Sequence, residues 1–178
     1  MQVMCVKFFF TSDARVEDSG NYTCGISNQN EADFMKLEVN VLRDISSIVL
    51  SVDDEQINGG GADVLHEDLE QPVRKKFTCQ VTGSNPAPTV KLYRGNGAAE
   101  DVTDLLEDST LTEQIQRQII DGKEALQAVH ITKVLEGNFL VDSHSSRLPL
   151  YCSANVHDLA AKESHKVTYQ FQGCTSVS

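Results

Sequence analysis

Apolar and polar residues alternate strictly through Met35-Lys36-Leu37-Glu38-Val39-Asn40-Val41. That is the period of a strand with one buried face. A second alternating run, Ile48, Leu50 and Val52, begins after the short segment Leu42 to Asp44. Two strands in series with so short a joint imply two domains set end to end. Further strands are expected at Phe77-Cys79-Val81, at Val90 and Leu92, within Glu124 to Val134, and at Val167-Tyr169-Phe171. The breaks carry turn residues: Gly59-Gly60-Gly61, Gly83-Ser84-Asn85-Pro86, Gly95-Asn96-Gly97, Gly122 and Gly137-Asn138. The segment Val102 to Ile120 stays open, because Leu105, Leu106, Leu111 and Ile115 could line a helix or a loop-and-strand passage. Many short strands with polar, Gly-rich breaks predict an all-β sandwich.

Composition narrows the function. The chain has 178 residues, 40% hydrophobic and 23% charged, ordinary for a globular protein of one or two domains. Its formal net charge of −11 is wrong for a nucleic-acid binder, and the longest basic run, Arg74-Lys75-Lys76, reads as solvated strand residues. No apolar stretch approaches the ~18–20 residues that span a bilayer. The start, Met1 to Phe10, is interrupted by Lys7 and makes a poor signal peptide. With neither signal nor anchor visible, a partial gene product or short isoform is expected. The five cysteines, Cys5, Cys24, Cys79, Cys152 and Cys174, include no Cys-x-x-Cys pair. Their long gaps suit cross-sheet disulfides in an oxidising compartment better than zinc, and an odd count leaves at least one thiol without a partner in the chain.

The most specific segment is Asp18-Ser19-Gly20-Asn21-Tyr22-Thr23-Cys24. It resembles the Asp-x-Gly-x-Tyr-x-Cys pattern of immunoglobulin (Ig) domains. The resemblance implies a tyrosine corner built by Asp18, Gly20 and Tyr22. Gly20 would allow a sharp turn from strand E into strand F, and Tyr22 would return its hydroxyl to the backbone. Cys24 would face the core. Phe8, Phe10, Ala14 and Val16 look like strand E. Residues 1–42 are then the C-terminal part, strands E-F-G, of a truncated Ig-like domain. Its strand-B cysteine is missing, so Cys24 either bonds Cys5 or lacks a partner. Residues 45–172 resemble a nearly complete C2-type Ig-like domain, with Cys79 on strand B and Cys152 on strand F. The implied Cys79–Cys152 disulfide is worth roughly 4 kcal/mol in the chain-entropy account. Two features depart from the pattern: Leu92 stands where a core tryptophan is expected, and Leu150 replaces the corner tyrosine before Cys152. Residues 173–178 form a tail whose Cys174 is a free thiol or an interchain bridge. The pair of domains is similar to nephrin-, nectin- or Beaten-path-like adhesion ectodomains.

Little else in the chain points to chemistry. Asn21-Tyr22-Thr23 is an N-glycosylation sequon, placed by the resemblance at the exposed E–F corner. The clusters Asp53-Asp54-Glu55, Glu67-Asp68 with Glu70, and Glu100-Asp101 with Asp104 lack calcium-loop order and read as solvated loops. Ser143-His144-Ser145 lacks the separated base, acid and oxyanion hole that a hydrolase needs. The expectation is therefore a non-catalytic protein with no cofactor and no metal. By resemblance it is an extracellular, cell-surface glycoprotein in adhesion or adhesion-linked signalling, from a membrane-anchored receptor. Its partner would be a homophilic or heterophilic Ig-superfamily protein on another cell. A secreted soluble immune recognition factor and an intracellular structural Ig array are the alternatives.

Overall fold

The computed structural model describes residues 14–15, 18–27, 32–39, 41–57, 64–116, 119–120, 123–124, 130–145, 147–157 and 159–171. Cys5, Cys174, Phe8, Phe10, Val16, Gly59-Gly60-Gly61, Gly122 and the tail 173–178 lie outside the described residues.

A hairpin comes first. Strand β1 (Gly20–Ser27) pairs antiparallel with β2 (Ala32–Val39), with Tyr22 opposite Leu37 and Cys24 opposite Met35. The alternation read at Met35–Val41 falls on this second strand as far as Val39. Ala14 and Arg15, just before the hairpin, are exposed and in no strand.

The rest builds two facing sheets. The first has the order β4 (Glu55–Gln56), β3 (Ser47–Val52), β6 (Val73–Ser84), β12 (His130–Val141), β9 (Glu107–Gln116). The second runs β5 (Val64–Leu69), β15 (Lys166–Phe171), β13 (Leu150–Asn155), β7 (Thr89–Arg94), β8 (Glu100–Asp101), with β14 (Lys162–Glu163) also on β13. The short strands β10 (Ile119–Ile120) and β11 (Lys123–Glu124) pair with each other. Strand β5 runs parallel to β15, and the other named pairings are antiparallel.

The core follows from the alternation. Leu50 and Val52 on β3, Phe77, Cys79 and Val81 on β6, and Leu135, Phe139 and Val141 on β12 point one way. Val90 and Leu92 on β7, Leu150, Cys152 and Ala154 on β13, and Val167 and Tyr169 on β15 meet them from the other sheet. Phe77 and Phe139 pack edge to face, centroids 6.0 Å apart. Non-directional burial of these side chains is the main force holding the layers together. Leu92, opposite Cys152 in the ladder, is fully buried, at the place where the resemblance expects tryptophan.

One open segment takes one of its two alternatives, and two sequence expectations meet differences. Val102 to Ile120 contains no α-helix among the described residues: a 3₁₀ turn over Thr103–Leu105 leads into β9. Gly137-Asn138 is not a break. It lies inside β12, where the ladder to β9 shifts register, and a Cβ on Gly137 would sit 2.9 Å from the Leu106 Cβ. Such close approach is a common reason for a glycine within a strand. Gly20 opens β1 without a positive φ, so the turn before it does not draw on glycine's left-handed freedom.

The segment joining hairpin and sandwich is tied down at Val41, Arg43 and Asp44. Arg43 and Asn85 exchange backbone bonds (2.8 and 3.0 Å), and the Asn85 Nδ2 donates to the Val41 carbonyl at 3.0 Å. The Val41 N–H donates to Ser19 Oγ at 2.8 Å, and Lys162 pairs with Asp44 at 2.8 Å.

Candidate recognition surface

Cys79 and Cys152 form a disulfide between the two sheets, Cα to Cα 5.8 Å, and both are buried. Among the described residues Cys24 is an exposed thiol with no disulfide partner.

At the hairpin's start the Arg15 N–H donates to Asp18 Oδ2 (2.8 Å), and the Tyr22 hydroxyl donates to the Asp18 carbonyl (2.6 Å). Asp18 thus closes the turn with its carboxylate and anchors Tyr22 through its backbone. Pairing places Tyr22, Cys24, Met35 and Leu37 on one face, and Asn21, Thr23, Lys36 and Glu38 on the other. The apolar face is bare, with Tyr22 49%, Met35 66% and Leu37 56% exposed. Asn21 is exposed on the polar face, on the same side as Thr23.

The outer face of the second sheet carries an ordered aromatic platform. Tyr93 stacks on Tyr151 at 5.9 Å between centroids, and the Lys166 ammonium lies 4.3 Å from the Tyr151 ring centre. Burial, with the nearby Glu163 carboxylate, pushes the Tyr151 hydroxyl above its ordinary pKa. Lys91 binds Asp101 at 2.6 Å, and Lys166 binds Glu163 at 3.2 Å. A shallow depression of about 400 Å³ opens beside Tyr93, lined also by Thr89, Lys91, Ser153, Asn155 and Ala161. It offers hydroxyl, amide and ammonium groups around one ring already held in place. Tyr151 is itself buried, so the half-buried Tyr93 supplies the contact area, held at small entropic cost by its stacked neighbour. The sequence reading passed over Tyr93 and Tyr151; their outward parity next to Leu92 and Cys152 was the available signal.

Two of the acidic clusters pair with basic side chains and turn backbone. Asp53 and Asp54, both with positive φ, form the two-residue turn between β3 and β4. They pair with Lys75 (3.1 Å) and Lys76 (3.0 Å), while Arg74 pairs with Glu107 at 3.0 Å. Glu100 pairs with Arg94, and Asp101 also accepts from the Thr103 N–H at 3.1 Å. Glu67 and Asp68 lie on β5. Among the described residues no group of three or more His, Cys, Asp or Glu could hold a metal ion. Ser143–Ser145 forms a 3₁₀ turn in which the Ser145 hydroxyl is buried between Asp142 (3.3 Å) and Arg94 (3.5 Å). That hydroxyl ties a turn to the sheet. No helix among the described residues is long and apolar enough to cross a membrane.

No protein-family model and no curated protein sequence matches the chain. Solved structures do. The D1–D2 crystal structure of Rst aligns with TM-score 0.50 at 15% identity, covering 89% of this chain and 66% of that one. The full ectodomain (Ig1–Ig3) of mouse nectin-like molecule 4 aligns with TM-score 0.51 at 19% identity, covering 96% of this chain and 50% of that one. The chain thus spans less than two thirds of either structure's length. At such identities the likeness speaks for the fold, in agreement with the two facing sheets and their sulfur bridge: the molecule has the immunoglobulin-like β-sandwich fold.

Proposed function

We propose that this chain is a non-catalytic part of an extracellular protein that recognises other proteins, in cell adhesion or adhesion-linked signalling. The observation that carries the reading is the buried Cys79–Cys152 bond across an Ig-like sandwich. Such bonds persist in oxidising compartments and are rare in the reducing cytosol, which weighs against an intracellular structural array. The neighbouring structures include an ectodomain of a nectin-like molecule. In this reading residues 1–42 are the C-terminal part, strands E-F-G, of a first Ig-like unit, 45–172 form a C2-type unit, and 173–178 are a tail. The Tyr22–Asp18 bond supports a tyrosine corner of Asp18, Gly20 and Tyr22, with Cys24 on the strand-F position. Asn21 is the glycan acceptor: secretory expression should add a glycan that Asn21→Gln removes, read as a mobility shift.

The decisive experiment applies a clustered, fluorescent form of the chain to cells each displaying one Ig-superfamily ectodomain, the chain itself included. Saturable binding to a particular line supports the proposal. Binding to none, or equally to all, overturns it.

A further inference from the structure

Strand β9 pairs with β12 on one side and, among the described residues, with no strand on the other. Its ladder is regular from Thr110, opposite Glu136, to Gln116, opposite His130. All of its residues are exposed. Leu111 and Ile115 lie across from Leu135 and Ile131, which are buried, so they stand on the core side of the sheet. Yet they are 57% and 47% exposed. The edge strand of the opposite sheet, β8, has only 2 residues, too short to cover them. Glu113 sits between them on the same face, opposite Lys133. The other face is Thr110, Thr112, Gln114 and Gln116, all uncharged.

Native edge strands are guarded by charges. The guard here is of one sign: Glu107, Asp108 and Glu113, with no basic residue on the strand, in a chain of net charge −11. A second copy pairing antiparallel about Glu113 would set Leu111 against Ile115, but carboxylate against carboxylate, which is destabilising. A cation at that place would instead complete an apolar–charged–apolar match. We infer that the free edge Thr110–Gln116 accepts an added strand from a partner protein: an extended segment with Arg or Lys flanked two residues away on each side by apolar residues. Backbone bonds give affinity in this mode, and alternate side chains give selectivity. The inference rests on the proposed recognition role only in taking the ligand to be a protein. Strand addition and binding to displayed ectodomains can each fail without the other.

The test uses the full chain with its disulfide intact and a labelled peptide, acetyl-Thr-Val-Thr-Arg-Thr-Val-Thr-amide, read by fluorescence anisotropy at low ionic strength. The expected result is saturable binding that weakens with salt and is lost when the central Arg becomes Glu. Glu113→Lys should weaken binding about fivefold or more, and Glu113→Gln by less. Both substitutions are at an exposed position, and circular dichroism verifies the fold. Amide exchange should gain protection within Thr110–Gln116. No binding, equal binding of the Arg and Glu peptides, unchanged affinity in Glu113→Lys, or protection confined to other strands overturns the inference.

Discussion

Leu92 bears on the core at the scale of one side chain. It is fully buried, it pairs with Cys152, and it occupies the place where an Ig-like core ordinarily puts tryptophan. Leu92→Ala should cost about 2–5 kcal/mol through lost burial and a cavity. Leu92→Trp should also destabilise, by about 1–3 kcal/mol, because a packed interior resists added volume. Urea denaturation of the oxidised chain measures both. Asp101 offers a pH handle. Burial pushes its carboxyl up, but hydrogen bonds from Lys91 and Thr103 outweigh that and hold it below the usual 3.8. A carboxyl with a lowered folded-state pKa contributes stability above its unfolded value, and the contribution is lost as pH falls through the folded value. Lys91, held above 10.5 by Asp101, contributes below its unfolded value and loses this as pH rises past the folded one. The pair therefore acts between these limits. Asp101→Asn should lower the thermal midpoint at neutral pH, and the two proteins should converge in acid below pH 3.8.

At the scale of elements, glycines mark where strands bend or crowd. Gly83 has φ +87°, and a Cβ there would lie 2.1 Å from Ser46 Oγ and 2.5 Å from its Cβ. It sits where the ladder between β6 and β12 shifts register. Gly83→Ala should destabilise by about 1–3 kcal/mol, since both the backbone conformation and the contact oppose a side chain. A melt of the variant checks this. The same positions show what sequence could tell. Ile48-Leu50-Val52 and Phe77-Cys79-Val81 were legible as strands because one face of each is buried. Gly83-Ser84 and Gly137-Asn138 looked like breaks, yet both lie inside strands, since glycine marks a bulge or a close approach as readily as a turn. Strand β9 was ambiguous because Leu111 and Ile115 are spaced four apart, which suits one face of a helix and of a strand equally.

At the scale of the molecule, the joint at 41–45 decides how the hairpin is held. Asn85 contributes backbone bonds to Arg43 and a side-chain bond to the Val41 carbonyl. Asn85→Ala removes the side-chain bond at a cost of about 1 kcal/mol. The expected outcome is a broader distance distribution in small-angle scattering, with the Cys79–Cys152 bond still intact by peptide mapping.

The candidate recognition features were legible only in part. The Asp18–Cys24 segment was singled out by its resemblance to the Ig corner pattern, and its Tyr22 hydroxyl bonds the Asp18 carbonyl. Tyr93, Lys166 and Tyr151 did not announce a platform, because three separate strands must meet to make it. Periodicity by itself determined which side of each strand is apolar, while the pairing of Cys79 with Cys152 rested on the family resemblance. Whether a second layer stands opposite was decided only in three dimensions. Leu50 and Leu37 obey the same alternation, yet one is sealed between sheets and the other lies bare. Alternation is a local property of one strand, whereas burial requires another strand, far away in the chain, to arrive on the apolar side.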